Sequence, residues 1–210
     1  MRTAMADPDS LFHPIVKLPD QYWVFDFTRG PNSNWECPFE YQIGRYDEHR
    51  PGMYTTELFG GERDLHVGLD IGAPVDTEVF AFGDGIVYSK GINPEAGSYG
   101  PTIITEHHLT LPVTVGSSEL TPPRTFWVLH GHLSTTSLEM VEVGQSISKG
   151  QVIATIGNEQ ENGGWPPHIH VQISVVRPEV NDLPGVVKLS ERDDALQKYP
   201  DPRLIAGQLY

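Results

Sequence analysis

The apolar positions of this chain fall in short runs with polar neighbours, parted by glycine and proline, and nowhere sustain the spacing of a long amphipathic helix. The stretch "QYWVFDF" (21–27) is aromatic and β-prone, and "TRGPNSNW" breaks it. "TEVFAFGDGIVYS" (77–89) reads as two short strands around Gly83-Asp84-Gly85, a hairpin signal. "YGPTIITEHHL" predicts another strand, and "RTFWVLHGHLS" a further one after the turn residues Pro122 and Pro123. "VEVGQSISKGQVIATIG" (141–157) predicts strand, Lys149-Gly150 turn, strand. In "HIHVQI" the alternation sends His168, His170 and Gln172 to one face and Ile169, Val171 and Ile173 to the other. The first face is free for chemistry and the second is apolar enough to be core. Residues 1–20 read as an arm, 35–64 as loop-rich, and the acidic tail from about 179 carries a short helix near "SERDDALQKY". The fold class expected is mainly β, with antiparallel sheets.

Composition narrows this only modestly. A chain of 210 residues with 38% hydrophobic and 20% charged positions can bury one substantial core. The 21 glycines and 18 prolines agree with many turns. A net charge of −14 argues against nucleic acid or an anionic surface as the main partner, since both need a basic footprint. The single cysteine, Cys37, excludes an intrachain disulfide and a multi-thiolate zinc site, and reads as a packed thiol. The opening "MRTAMADPDSLFHPIVKLPD" has no continuous apolar run and nothing downstream approaches a membrane span. The expected location is cytoplasmic, or periplasmic or secreted if a leader has been removed.

The chemistry lies in the histidines. "HVGLD" sets His66 and Asp70 four apart, but Gly68 and the following "IGAP" argue for a strand and its bend rather than a helix. "LHGHLS" places His130 and His132 at i, i+2, and "HIH" repeats that spacing with His168 and His170. A single pair would be read as half-buried histidines bonded to backbone. Two pairs with His66 and Asp70 exceed what packing selects, and imidazole with carboxylate is a zinc donor set. His13, His49, His107 and His108 are assigned ordinary loop or strand roles.

Taken in order, "HVGLD", "HGHLS" and "HIH" resemble the zinc metallopeptidases of the M23 family, the lysostaphin-like or LytM-type endopeptidases. The resemblance spans roughly residues 63–175. It implies a two-layer antiparallel β fold with the site in a groove across one sheet. It implies Zn2+ as cofactor, with His66, Asp70 and His170 as ligands and His132 and His168 as catalytic residues. A peptide or peptidoglycan-type substrate follows, cleaved by a metal-activated water. Residues 1–62 would form an arm and loop-rich segment packing on the core, 63–178 the peptidase domain and 179–210 a tail. His130 stands where many members have an aromatic residue; it is given no role, though it could line the groove. The tyrosine that some members carry before the first ligand has no close counterpart, Tyr54 being far upstream. From the loop-rich segment, Asp47, Glu48 or His49 could reach the metal. Rival readings are a biotinyl- or lipoyl-type carrier with Lys149 at a hairpin tip, an inactive scaffold on the same fold, and a cytoplasmic zinc amidohydrolase or peptidase acting on a small substrate.

Overall fold

The computed structural model describes residues 11–31 and 36–210, so the first ten residues of the expected arm lie outside the described residues. In chain order the strands are β1 (Trp23–Val24), β2 (Gln42–Gly44), β3 (Glu48–His49), β4 (Arg63–His66), β5 (Leu69–Gly72), β6 (Glu78–Phe80), β7 (Gly85–Asn93), β8 (Gly100–Leu109) and β9 (Arg124–Gly131). Helix α1 (Ser137–Met140) follows, then β10 (Ser146–Ile147), β11 (Val152–Thr155), β12 (His168–Ser174) and β13 (Val186–Lys188). Two short helices, α2 (Arg192–Lys198) and α3 (Arg203–Ala206), close the chain. Among the described residues no helix is long and apolar enough to cross a membrane.

Eight strands form the main sheet in the order β1-β2-β5-β12-β9-β8-β7-β10, antiparallel except for the β1–β2 pair. Strands β6 and β11 make a small second sheet, and β3, β4 and β13 a third. The fold is mainly β and antiparallel, as the alternation implies.

Two expected hairpins are not formed. The runs flanking Gly83-Asp84-Gly85 part company, β6 pairing with β11 and β7 with β8 and β10. Around Lys149-Gly150 the chain likewise passes from the main sheet at β10 to the small one at β11. Both turns are therefore corners between layers, and they dock on each other. The Lys149 amide donates to the Asp84 carboxylate at 2.8 Å, and the Gly150 amide to the Ala81 carbonyl at 2.8 Å. Turn residues suit a hairpin and a corner equally well. The outcome rests on burial, because Val79, Phe82, Ile153 and Ile156 join the main apolar cluster only from the second layer.

Strand pairing fixes which side chains share a face. Leu69 lies opposite Val171, Ile71 opposite Ile169, and Val128 opposite Ile173, and all six belong to the main core. The other face of the same strands carries Asp70, His170 and Gln172, with Gly131 opposite His170. One strand, β12, thus presents its isoleucines to the core and its histidines to the opposite side, as its alternation predicts.

Candidate metal centre

His66 is the last residue of β4 and Asp70 the second of β5. Between them Val67-Gly68 carries the chain from the third sheet to the main one, Val67 donating its amide to the Gly185 carbonyl at 2.9 Å. Asp70 and His170 are direct cross-strand partners. The kink brings His66 over that pair, and the donor atoms close into a small triangle. His66 Nε2 lies 3.2 Å from Asp70 Oδ1, His170 Nδ1 lies 3.0 Å from the same oxygen, and the two ring nitrogens are 3.2 Å apart. In a tetrahedral zinc site with bonds of about 2.05 Å, neighbouring ligand atoms stand about 3.3 Å apart. The donor set therefore fits one face of such a tetrahedron, and it is a metal-competent group among the described residues.

Outer partners set the imidazole tautomers. The Nδ1–H of His66 donates to the Arg45 carbonyl at 2.8 Å, that of His132 to the Asn162 carbonyl at 2.7 Å, and that of His168 to the Pro166 carbonyl at 2.7 Å. Each of these rings is left with Nε2 as its lone-pair nitrogen. His170 is reversed: its Nε2 lies 3.3 Å from Gln172 Oε1 and 3.4 Å from the Tyr99 hydroxyl, which itself donates to the Leu183 carbonyl at 3.0 Å. Its Nδ1 is consequently the nitrogen turned to Asp70.

Burial pushes His66 down to about 4, with the Arg50 charge acting the same way. It also holds His132 well below the usual imidazole range and His168 below it. For Asp70, burial raises the carboxyl, but its His66, Arg50 and His170 neighbours, the Arg50 guanidinium among them, outweigh it and hold it well below its ordinary value. Neutral imidazoles around an ionised carboxylate are the state that cation ligation requires.

His132 and His168 flank this triangle, their rings 4.2 Å apart, with His168 Nε2 at 3.9 Å from Asp70 Oδ1. His132 reaches the site through its backbone: its φ of +62° is in the left-handed region, which ends the alternation of β9. That break corrects the expectation for His130. It lies opposite Val171 and Ile103 on the core face, fully buried, and does not line the groove. The i, i+2 rule holds for "HIH", which is inside a strand, and fails for "HGH", which is not.

The groove is a cleft of about 450 Å³ whose walls include Phe25, Phe27, Tyr54, Phe59 and Trp165. Of the upstream residues expected to reach the metal, none does. Asp47 pairs with Arg192, His49 with Asp64, and Glu48 with Arg45 and Arg50. The residue of that segment that does arrive is Arg50, which donates to Asp70 Oδ2 at 2.8 Å and to the Tyr54 hydroxyl at 3.0 Å. Sequence reasoning missed Arg50 and Tyr99, for neither sits in a spacing motif. Gly163 and Gly164, just before β12, both have positive φ, at +89° and +91°, a turn backbone that glycine adopts freely. Among the other histidines, His107 packs into the core, its ring 4.3 Å from Phe82.

A β sheet whose one face is core and whose other face holds a His-Asp-His triangle beside two further histidines defines a metallopeptidase-type site. Residues 64–182, more than half of the chain, match peptidase family M23, and the chain belongs to that family. Among its relatives, peptidoglycan DD-endopeptidase ShyA of Vibrio cholerae serotype O1 is 28% identical over 125 residues, covering 60% of this chain and 24% of the relative. Peptidoglycan DD-endopeptidase ShyC of the same organism is 27% identical over 134 residues, covering 62% and 26%. A zinc-containing peptidase from Vibrio cholerae, known as a crystal structure, is 25% identical with a TM-score of 0.44, covering 71% of this chain and 36% of that one. The chain spans about a quarter of the length of the curated relatives it matches.

Proposed function

We propose that the protein is a zinc-dependent endopeptidase that hydrolyses peptide bonds of peptidoglycan stem peptides or cross-bridges. The observation that carries this reading is the donor triangle of His66, Asp70 and His170, with edges of 3.0–3.2 Å, opening onto the cleft. The names of the two curated relatives support the substrate class. Zinc held by those three residues would supply Lewis acidity, polarising a carbonyl and acidifying water. The chain's own groups supply the proton handling. His168, neutral and with Nε2 facing the site, accepts the proton of the attacking water. His132, its Nδ1–H anchored on Asn162 and its Nε2 lone pair facing the site, takes that proton on from His168, whose ring lies 4.2 Å away, and delivers it to the leaving amine, so both rings end neutral.

The test combines metal analysis with digestion of purified peptidoglycan and its stem peptides. His66→Ala and His170→Ala should lose stoichiometric zinc. His132→Ala and His168→Ala should retain zinc and lose turnover. Chelation should stop hydrolysis and zinc restore it. Unchanged zinc content in both ligand variants, or hydrolysis indifferent to chelator, would overturn the reading.

A further inference from the structure

The stretch from the end of β2 to just past β3 (45–50) lies outside the residues matched to the family, yet it makes the outer contacts of two of the three donors. Arg50 is buried, with 3% of its side chain exposed. Its guanidinium donates through Nε to Glu48 Oε2 at 2.9 Å, through one terminal nitrogen to Asp70 Oδ2 and Tyr54, and through the other to the Arg45 carbonyl at 3.0 Å. That same Arg45 carbonyl accepts the Nδ1–H of His66. Behind them Arg45 pairs with Glu48 at 2.6 Å and with the exposed Asp26 at 2.7 Å. Charges of alternating sign thus run from the surface to the donor triangle, Asp26, Arg45, Glu48, Arg50, Asp70. Gly44, opposite Asp70 on β2, leaves room for this: a Cβ there would stand 2.7 Å from Asp70 Oδ2 and 2.8 Å from a terminal nitrogen of Arg50.

From this arrangement we infer that Arg50 is a positioning residue for the metal centre, holding Asp70 Oδ2 so that Oδ1 alone is presented to the ion. The inference rests on the zinc reading above. A free carboxylate rotates about its terminal torsion and can offer one oxygen or two. With Oδ2 occupied by a guanidinium that is itself fixed at three other points, only the one-oxygen mode remains. Arg50 also brings a positive charge, which opposes cation binding. Glu48, 2.9 Å behind it, offsets that field, so orientation is the larger effect.

The experiment uses the full chain and three variants, Arg50→Gln, Arg50→Lys and the double variant Glu48→Gln/Arg50→Gln, which removes the charges as a neutral pair. Zn2+ affinity is measured by chelator competition, coordination by the visible spectrum of the Co2+ form, and folding by thermal melting. Arg50→Gln and the double variant should bind Zn2+ about 10- to 100-fold more weakly. Their Co2+ bands should weaken as Asp70 turns to two-oxygen ligation. Arg50→Lys, which keeps one donor and the charge, should recover part of both. Wild-type affinity and spectrum in whichever of the two glutamine-containing variants folds would overturn the inference, as would tighter Zn2+ binding in Arg50→Gln. If neither folds, the Lys variant decides: an affinity and spectrum equal to wild type overturn the inference, and a weaker, altered site supports it. Failure of the unmodified protein to take up Zn2+ or Co2+ would instead remove the zinc reading itself.

Discussion

Gly68 stands between the first two donors, and the substitution Gly68→Ala tests the geometry of the third. A Cβ at this position would fall inside the His170 ring's contact envelope, 3.0 Å from Nδ1 and closer to Cε1 and Nε2. The glycine's φ lies outside the left-handed region, so the added methyl brings a steric penalty and no backbone strain. Carbon atoms prefer separations of about 3.5–4.0 Å, so the ring must retreat by about 1 Å. The ring's neighbours give little help, because Gln172 Oε1 and the Tyr99 hydroxyl already stand 3.3 and 3.4 Å from its Nε2. Metal–ligand distances tolerate only about ±0.2 Å. Overpacking of this kind costs about 1–3 kcal/mol, which corresponds to a loss of zinc affinity of about five- to 150-fold. In the metal-free protein the ring can swing toward the cleft, so its melting temperature should change less than that of the zinc-loaded protein. The assay is chelator competition, with thermal melts in the presence and absence of zinc. An alanine variant that binds zinc as tightly as the parent would show that the slot around His170 yields freely, and would refute the argument.

His130 supplies a pH test away from the site. Burial, with the nearby His107, takes it down to about 4, and its Nε2 has no hydrogen-bond partner among the described residues. Between pH 6.5 and 4 the unfolded chain binds a proton there that the folded one does not, so stability is lost as pH falls through that window, by roughly 3 kcal/mol in all. His130→Leu should flatten the pH dependence of urea unfolding across this range and leave turnover intact; an unchanged slope would count against the assignment. Asn162 is buried; its Nδ2 donates to the Trp165 carbonyl at 2.9 Å and its Oδ1 accepts the Trp165 amide at 3.0 Å, while its backbone carbonyl holds His132. Asn162→Ala should cost about 2–4 kcal/mol in unfolding free energy and lower kcat with zinc content unchanged. Equal kcat in a folded variant would free His132 from that anchor.

Much of this was legible in the sequence because it depends on local periodicity. The alternation of "HIHVQI" assigned Ile169, Val171 and Ile173 to the core and His168 and His170 to the other face, and β12 obeys it. Gly68 argued against a helix in "HVGLD", and His66 and Asp70 do sit on two strands joined by a kink. What local pattern could not supply was partner choice. Gly83-Asp84-Gly85 and Lys149-Gly150 carry turn chemistry without saying whether the next strand returns beside the last or crosses to another layer; burial of Val79, Phe82 and Ile153 settled that. The alternation of "HGH" was read one residue too far, because the left-handed backbone of His132 is held by contacts distant in the chain, its amide donating to the Tyr99 carbonyl and its ring to Asn162. Arg50 had no signature at all. It meets Asp70 only because β3 pairs with β4 and β2 with β5, and a long-range electrostatic contact of that kind leaves no period in the text. The sequence by itself determined the strands, their apolar faces and the donor types; the tertiary structure decided which strands adjoin, and hence which charges surround the donors, since those depend on pairings between residues far apart in the chain.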